Sequence, residues 1–309
     1  MDRREFLKKT ATIGFGAGLY FFPKGLRDTA RLAAQEAKQA SAYPALVAVK
    51  GGTPAAMFDR GMKALGGMGR FVKNGQTVAV KPNMSWDLAP EYAANTSPEL
   101  VAAVVKHCRD AGAKKVIILD HSLDYWERAA KTSGILPAAI AAGAVYAPAE
   151  TEGYYHKMNI NGKRLKEVAV HEALLETDVL ISVPVLKHHG GAGLTGSMKN
   201  LMGCVWNRRV YHSSGLQTCI ADFLYAKKPT LNVIDAYRVL IRNGPRGGSL
   251  ADVVSTGSLI ISPDIVAADT AASMLVGRKQ GEVECVRIAA EAGFGQLDLS
   301  KLAIERLTV

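Results

Sequence analysis

The chain has 309 residues, 48% of them apolar and 21% charged, a balance that excludes intrinsic disorder and supplies enough chain for one large α/β domain or two lobes. Its formal net charge is +10, but residues 1–42 carry eight Lys/Arg against four Asp/Glu, so the rest of the chain stands at +6. That excess favours small acidic ligands, and without a Lys/Arg run interleaved with aromatics it argues against nucleic acid as a partner.

The first element is Arg3-Arg4-Glu5-Phe6-Leu7-Lys8 followed by an apolar, glycine-spaced run from Ala11 to Phe22. This resembles a twin-arginine export signal. The resemblance implies that residues 1–42 are a signal peptide and spacer, that the twin-arginine export machinery is a partner, and that the protein reaches the periplasm or another extracytoplasmic space already folded. It also makes a cofactor acquired before export plausible. The apolar run falls short of the ~20 residues that span a bilayer, so no stable transmembrane anchor is expected once the signal is cleaved. Ala40-Ser41-Ala42 offers a small-residue cleavage site, after an unusually long spacer.

Residues 43–309 read as a single α/β region in which strands and helices alternate. Ala45–Val49 is predicted as a strand, Pro54–Leu65 as a helix, Thr77–Val80 as a strand and Pro98–Ala111 as a helix opened by Ser97 and closed at Gly112. Lys115–Leu119 is the next strand, and two helical segments divided by Gly134 and Pro137 follow within Leu123–Ala142. Residues 144–170 read as a second lobe or β excursion at an edge, with Asn161-Gly162 as a hairpin turn. Val179–Val185 is the expected central strand, then Leu216–Tyr225 a helix, Thr230–Ile234 and Ser258–Ile261 strands, Pro263–Leu275 a helix capped by Ser262, Val283–Ala292 a helix and Ala303–Leu307 an edge strand. Such alternation predicts a mostly parallel sheet with helices on both faces.

In sheets of this kind ligands bind beyond the carboxyl ends of the strands. Those ends deliver Lys81 and Asn83, Asp120 and His121, Lys187 with His188 and His189, Asp235, and Asp264. After the central strand, Gly190, Gly191 and Gly193 free the backbone, and Thr195-Gly196-Ser197 is placed to cap a helix carrying Lys199 and Asn200. A helix N-terminus beside lysines predicts an anion site for a carboxylate or phosphate, with Lys81, Asn83, Thr195, Gly196, Lys199 and Asn200 as its ligands. Lys187, His188 and His212 are the catalytic candidates, the lysine lowered in pKa by its like-charged neighbours and the imidazoles relaying protons. Alternatively His188 and His212 with Asp222 or Asp235 offer nitrogen and oxygen ligands to a divalent metal. Arg208, Arg209 and Arg246 read as surface charges that could extend the anion contacts. Cys108, Cys204, Cys219 and Cys285 stand apart without a Cys-x-x-Cys pair, so no cysteine-ligated iron–sulfur cluster is expected.

These residues carry a resemblance. Val80-Lys81-Pro82-Asn83, Asn95-Thr96-Ser97-Pro98-Glu99, Val183-Pro184-Val185-Leu186-Lys187-His188-His189 and Thr195-Gly196-Ser197-Met198-Lys199-Asn200-Leu201-Met202-Gly203 are similar, in order, to the family called domain of unknown function 362. His212, Asp222, Asp235, Asn243-Gly244-Pro245-Arg246-Gly247 and Asp264 with Asp269 continue the match. The resemblance implies a fold distantly similar to nickel-pincer lactate racemases. Many relatives carry a ferredoxin-like iron–sulfur segment, which this sequence lacks. Three function classes follow: an exported enzyme acting on a small anion by acid–base or metal-assisted chemistry, a non-catalytic anion-binding protein, and a cofactor-carrying redox component.

Overall fold

The computed structural model describes residues 42–309. The segment expected to be an export signal, with Arg3 and Arg4, lies outside the described residues. The β-branched runs form β1 (Leu46–Lys50), β2 (Thr77–Pro82), β3 (Lys115–Ile118), β4 (Val145–Tyr146), β5 (Tyr155–Asn159), β6 (Glu167–His171), β7 (Val179–Val183), β8 (Val185–His189), β9 (Gly193–Thr195), β10 (Leu231–Leu240), β11 (Val253–Ser262) and β12 (Ile304–Thr308). Between them lie α1 (Pro54–Ala64), α2 (Pro98–Asp110), α3 (Trp126–Thr132), α4 (Ile135–Ala141), α5 (Glu172–Leu175), α6 (Ser197–Asn200), α7 (Arg209–Ser214), α8 (Leu216–Asp222), α9 (Ile265–Leu275) and α10 (Glu284–Glu291). Pro137 does not divide two helices: it sits in the first turn of α4, where a missing N–H costs nothing.

The main sheet runs β12-β1-β11-β10-β7-β2-β3-β4. On this path every strand runs the same way except β11, which is antiparallel to both neighbours. The fold is therefore α/β with a mostly parallel sheet and helices on both faces. Alternation along the buried strands divides the core in two. Val78, Val80, Val179 and Ile181 face α1, α2 and α4, whereas Ala79, Leu180 and Ile234 face α8, α9 and α10.

Two departures matter for the site. The strand expected to end at Val185 is broken at Pro184, and β8 then continues along β10 and turns back through Gly190-Gly191-Ala192 into β9. Lys187, His188 and His189 are thus strand residues, and the glycines form a hairpin turn. The excursion in residues 144–170 is a separate two-stranded antiparallel sheet, β5–β6, whose connection closes with the Ile160 N–H donating to the Lys166 carbonyl at 2.9 Å. Its turn is longer than the two-residue hairpin expected at Asn161-Gly162. Among the described residues no helix is long and apolar enough to cross a membrane.

Candidate functional site

The carboxyl ends of β2, β3 and β8 meet around a cavity of about 270 Å³. At its base β2 turns Lys81 inward, where the side chain is 1% exposed. Lys81 Nζ donates to Pro82 O at 2.7 Å and to Asn200 Oδ1 at 2.9 Å, and lies 2.8 Å from Asp120 Oδ1. Asp120 Oδ2 accepts from the Met84 N–H at 2.6 Å and from Ser85 Oγ at 3.1 Å, and Asn200 Nδ2 donates to Lys81 O at 2.9 Å. Lys81 is thus held by two hydrogen bonds and one ion pair, and the Asp120 carboxylate is committed to it. Gly203 packs over the pair so tightly that a Cβ there would lie 2.6 Å from Lys81 Nζ.

Lys187 is equally buried but differently furnished. Its Nζ donates to Ala94 O and, at 3.3 Å, to Asn83 Oδ1, and it lies 5.8 Å from the centre of the Trp86 ring. No carboxylate pairs with it among the described residues. Burial, reinforced by the Lys199 charge and to a lesser degree by Lys81, holds its pKa well below the ordinary lysine value. Across the hairpin Lys187 pairs in register with Thr195, whose buried hydroxyl lines the cavity without a hydrogen-bond partner.

Lys199 projects from α6 into the same cavity, and no hydrogen bond or ion pair holds its ammonium among the described residues. Burial, with Arg208 and Lys81 nearby, lowers its pKa to about 8. Arg208 completes the positive wall and donates from Nη2 to Ser122 O at 3.3 Å. His189 shares the strand face of Lys187, two residues on, as the period of a strand requires. Its Nδ1 accepts from the Ala192 N–H at 3.1 Å, which puts the ring proton on Nε2. Burial and then the two lysines push its pKa down to about 3, so it is a neutral donor. His212 lines the mouth of the cavity from α7 and is exposed.

Of the residues singled out in the sequence, Lys81, Asn83, Asp120, Lys187, Thr195, Lys199, Asn200 and His212 are gathered here. The rest are elsewhere, for definable reasons. His188 points to the opposite face of β8, where its Nδ1 accepts from the Gly244 N–H at 3.1 Å. Gly196 and the start of α6 do not form an anion site, because Asp269 of α9 already accepts from the Ser197 N–H at 2.6 Å and the Met198 N–H at 3.0 Å. Burial raises the Asp269 pKa to about 7. Asp222 caps the β5–β6 connection through the Arg164 and Leu165 N–H groups. Asp235 accepts from the Ser97 N–H at 2.7 Å and, raised by burial to about 6, steadies the start of α2. His121 stacks on Trp206 and donates from Nδ1 to Val205 O, outside the cavity. Asp264, at the end of the reversed strand β11, is on the opposite rim and caps α9 through the Ala267 N–H. The metal set of His188, His212, Asp222 and Asp235 is therefore not assembled, and no group of three or more His, Cys, Asp or Glu converges among the described residues. Arg208, read as a surface charge, is a half-buried wall of the cavity, and His189 and Trp86 complete it.

The family described as domain of unknown function 362 (DUF362) matches residues 78–274. The thylakoid-associated protein sll1697 of Synechocystis sp. is 30% identical over 224 residues, 67% of this chain and 65% of that protein, so the chain spans about two thirds of that relative's length. Among solved structures, the lactate racemase apoprotein of Thermoanaerobacterium thermosaccharolyticum is similar over 74% of this chain and 56% of its own, at TM-score 0.47 and 11% identity. A Thermotoga maritima protein is similar over 78% of this chain and 60% of its own, at TM-score 0.44 and 10% identity. With that family matching well over half of its residues, and with the motifs that form the cavity inside the matched span, this chain belongs to the DUF362 family.

Proposed function

We propose that this protein is an enzyme whose cavity binds a small carboxylate or phosphate and acts on it through the uncharged amine of Lys187. One observation carries the reading. Lys199 and Arg208 line a cavity whose sole lining carboxylate, Asp120, is already committed to Lys81, so the positive wall is left without a protein counter-ion among the described residues. Cations taken partly out of water attract an anion more strongly than the same groups on an open surface, because less solvent screens them. Lys199 and Arg208 hold the anion, the His189 Nε2–H and the Thr195 hydroxyl direct it, and Lys187 supplies the base or nucleophile. A purely binding protein has no use for a buried amine kept below its ordinary pKa, and that favours catalysis over the binding reading.

The test is calorimetric titration of the full chain with oxalate and with inorganic phosphate at pH 7. Lys199→Met is expected to weaken binding about tenfold or more, the loss of one charge-assisted contact. Lys187→Met is expected to fold with little change in thermal stability, because a buried lysine without a counter-ion gives way to an apolar side chain of similar length. Binding unchanged in Lys199→Met would remove the site from this cavity.

Export belongs to the same reading. The support is the order Arg-Arg-Glu-Phe-Leu-Lys at residues 3–8 and the short apolar run after it.

A further inference from the structure

The two buried lysines, Lys81 and Lys187, are furnished with different partners. Lys81 donates to two acceptors and its ammonium charge is paired with the Asp120 carboxylate 2.8 Å away. Lys187 has two, both uncharged, Ala94 O and Asn83 Oδ1. A neutral amine has two N–H groups and one lone pair. Two acceptors satisfy it completely and leave the lone pair in the remaining tetrahedral direction, whereas an ammonium in the same place would have no paired carboxylate, only the Trp86 ring 5.8 Å away. Beside it stand an unpartnered hydroxyl, Thr195, on the paired strand, and the unpaired ammonium of Lys199 in the same cavity.

From this arrangement we infer that Lys187 is a nucleophile that forms an imine with the carbonyl carbon of a small 2-oxo carboxylate, whose carboxylate is held by Lys199 and Arg208. The inference rests on the anion-binding reading above and narrows its substrate class. The Lys187 lone pair adds to the carbonyl carbon while the C=O π bond opens onto oxygen, to which the Thr195 hydroxyl donates a hydrogen bond. A proton passes from nitrogen to that oxygen and gives a carbinolamine. The C–O bond then breaks, the departing hydroxide takes a proton from the Lys199 ammonium and leaves as water, and the nitrogen lone pair forms the C=N bond of a protonated imine. Atoms and charge balance, with no oxidant or reductant. The lowered pKa of Lys187 fits this role, since only the unprotonated amine attacks.

The experiment is reductive trapping on the full chain. Protein is incubated at pH 7 with pyruvate and sodium cyanoborohydride, and the adduct is located by peptide mass mapping. Modification of Lys187 is expected to exceed that of any exposed lysine by at least about tenfold, to be absent in Lys187→Met, and to be suppressed by oxalate, which binds as an anion but has no ketone. Acetone, which has the ketone without the carboxylate, is expected to label Lys187 at least about tenfold more slowly than pyruvate. Adducts spread evenly over exposed lysines, or pyruvate labelling that oxalate does not suppress, overturn the inference. If oxalate and phosphate bind by calorimetry but pyruvate leaves Lys187 unmodified, the imine falls and the anion site stands. If neither anion binds and no adduct forms, both fall.

Discussion

Lys199 is the residue whose charge the site depends on, and its position sets two pH effects of opposite sign. Burial lowers its pKa to about 8 from the ordinary 10.5, so between those values the unfolded chain holds a proton that the folded chain has released. Folding stability contributed by this residue is therefore least below pH 8 and rises as pH climbs towards 10.5. Anion affinity moves the other way, since it is the ammonium that attracts the ligand. Oxalate stays fully ionised over this range, so its affinity is expected to fall about fivefold to tenfold between pH 7 and 9 as most of Lys199 deprotonates, with Arg208 retaining the rest. Calorimetry at the two pH values checks this, and a flat profile would assign the anion to Arg208 alone. At this scale the sequence revealed residue types better than partners. Lys81, Asp120 and Asn200 were visible as strand-end and loop polar groups, but only the fold shows that they hold one another and leave Lys187 and Lys199 without a carboxylate partner.

The hairpin β8–β9 and the four-residue helix α6 carry most of the working side chains, and both were only partly legible. The expected strand ran through Pro184 to Val185, and the glycines after it suggested that a loop begins. In the fold the proline only interrupts it: pairing with β2 ends at Val183, but β10, which pairs with β7 at Leu231 and Asn232, goes on to pair with β8 from Asp235. Once Lys187 is known to lie in a strand, alternation alone puts Lys187 and His189 on one face and His188 on the other, so the choice of His188 over His189 was a consequence of reading strand as loop. The reading of α6 erred differently. Its first N–H groups were expected to be open to an anion, but they donate to Asp269, distant in sequence and supplied by α9. Asp269→Ala leaves two buried N–H groups without an acceptor, at about 1–3 kcal/mol each, and releases the start of the helix that aims Lys199. Loss of about 2–4 kcal/mol in urea unfolding, together with weaker oxalate binding, is the expected outcome. Unchanged affinity in a destabilised variant would show that α6 holds Lys199 without this cap.

At the scale of the molecule, the alternation of apolar runs and amphipathic segments was enough to give the α/β class and the strands β1, β2, β3, β7, β10, β11 and β12, because buried strands and their covering helices impose different periods on the sequence; the short β4, β8 and β9 carry no such run. Strand direction was not legible, and this is why Asp264 was assigned to the wrong rim: β11 runs against its neighbours, so its carboxyl end lies beside their amino ends. The export proposal also belongs to this scale. Replacing both Arg3 and Arg4 with lysine is expected to leave the protein in the cytoplasm with its oxalate affinity intact, as read by cell fractionation, and export of the double variant at the normal level would refute the twin-arginine assignment. The position of β1 bears on the order in which the domain is completed. Its two neighbours in the sheet are β11 and β12, both from the far end of the described chain, so during synthesis β1 emerges early and has no strand to pair with until nearly everything else has been made. Until then it presents two bare edges on which other chains can dock, and contacts this distant in sequence form slowly. The first strand of the described chain is thus among the last to be completed, and the state of its edges reports whether the rest of the domain has been built.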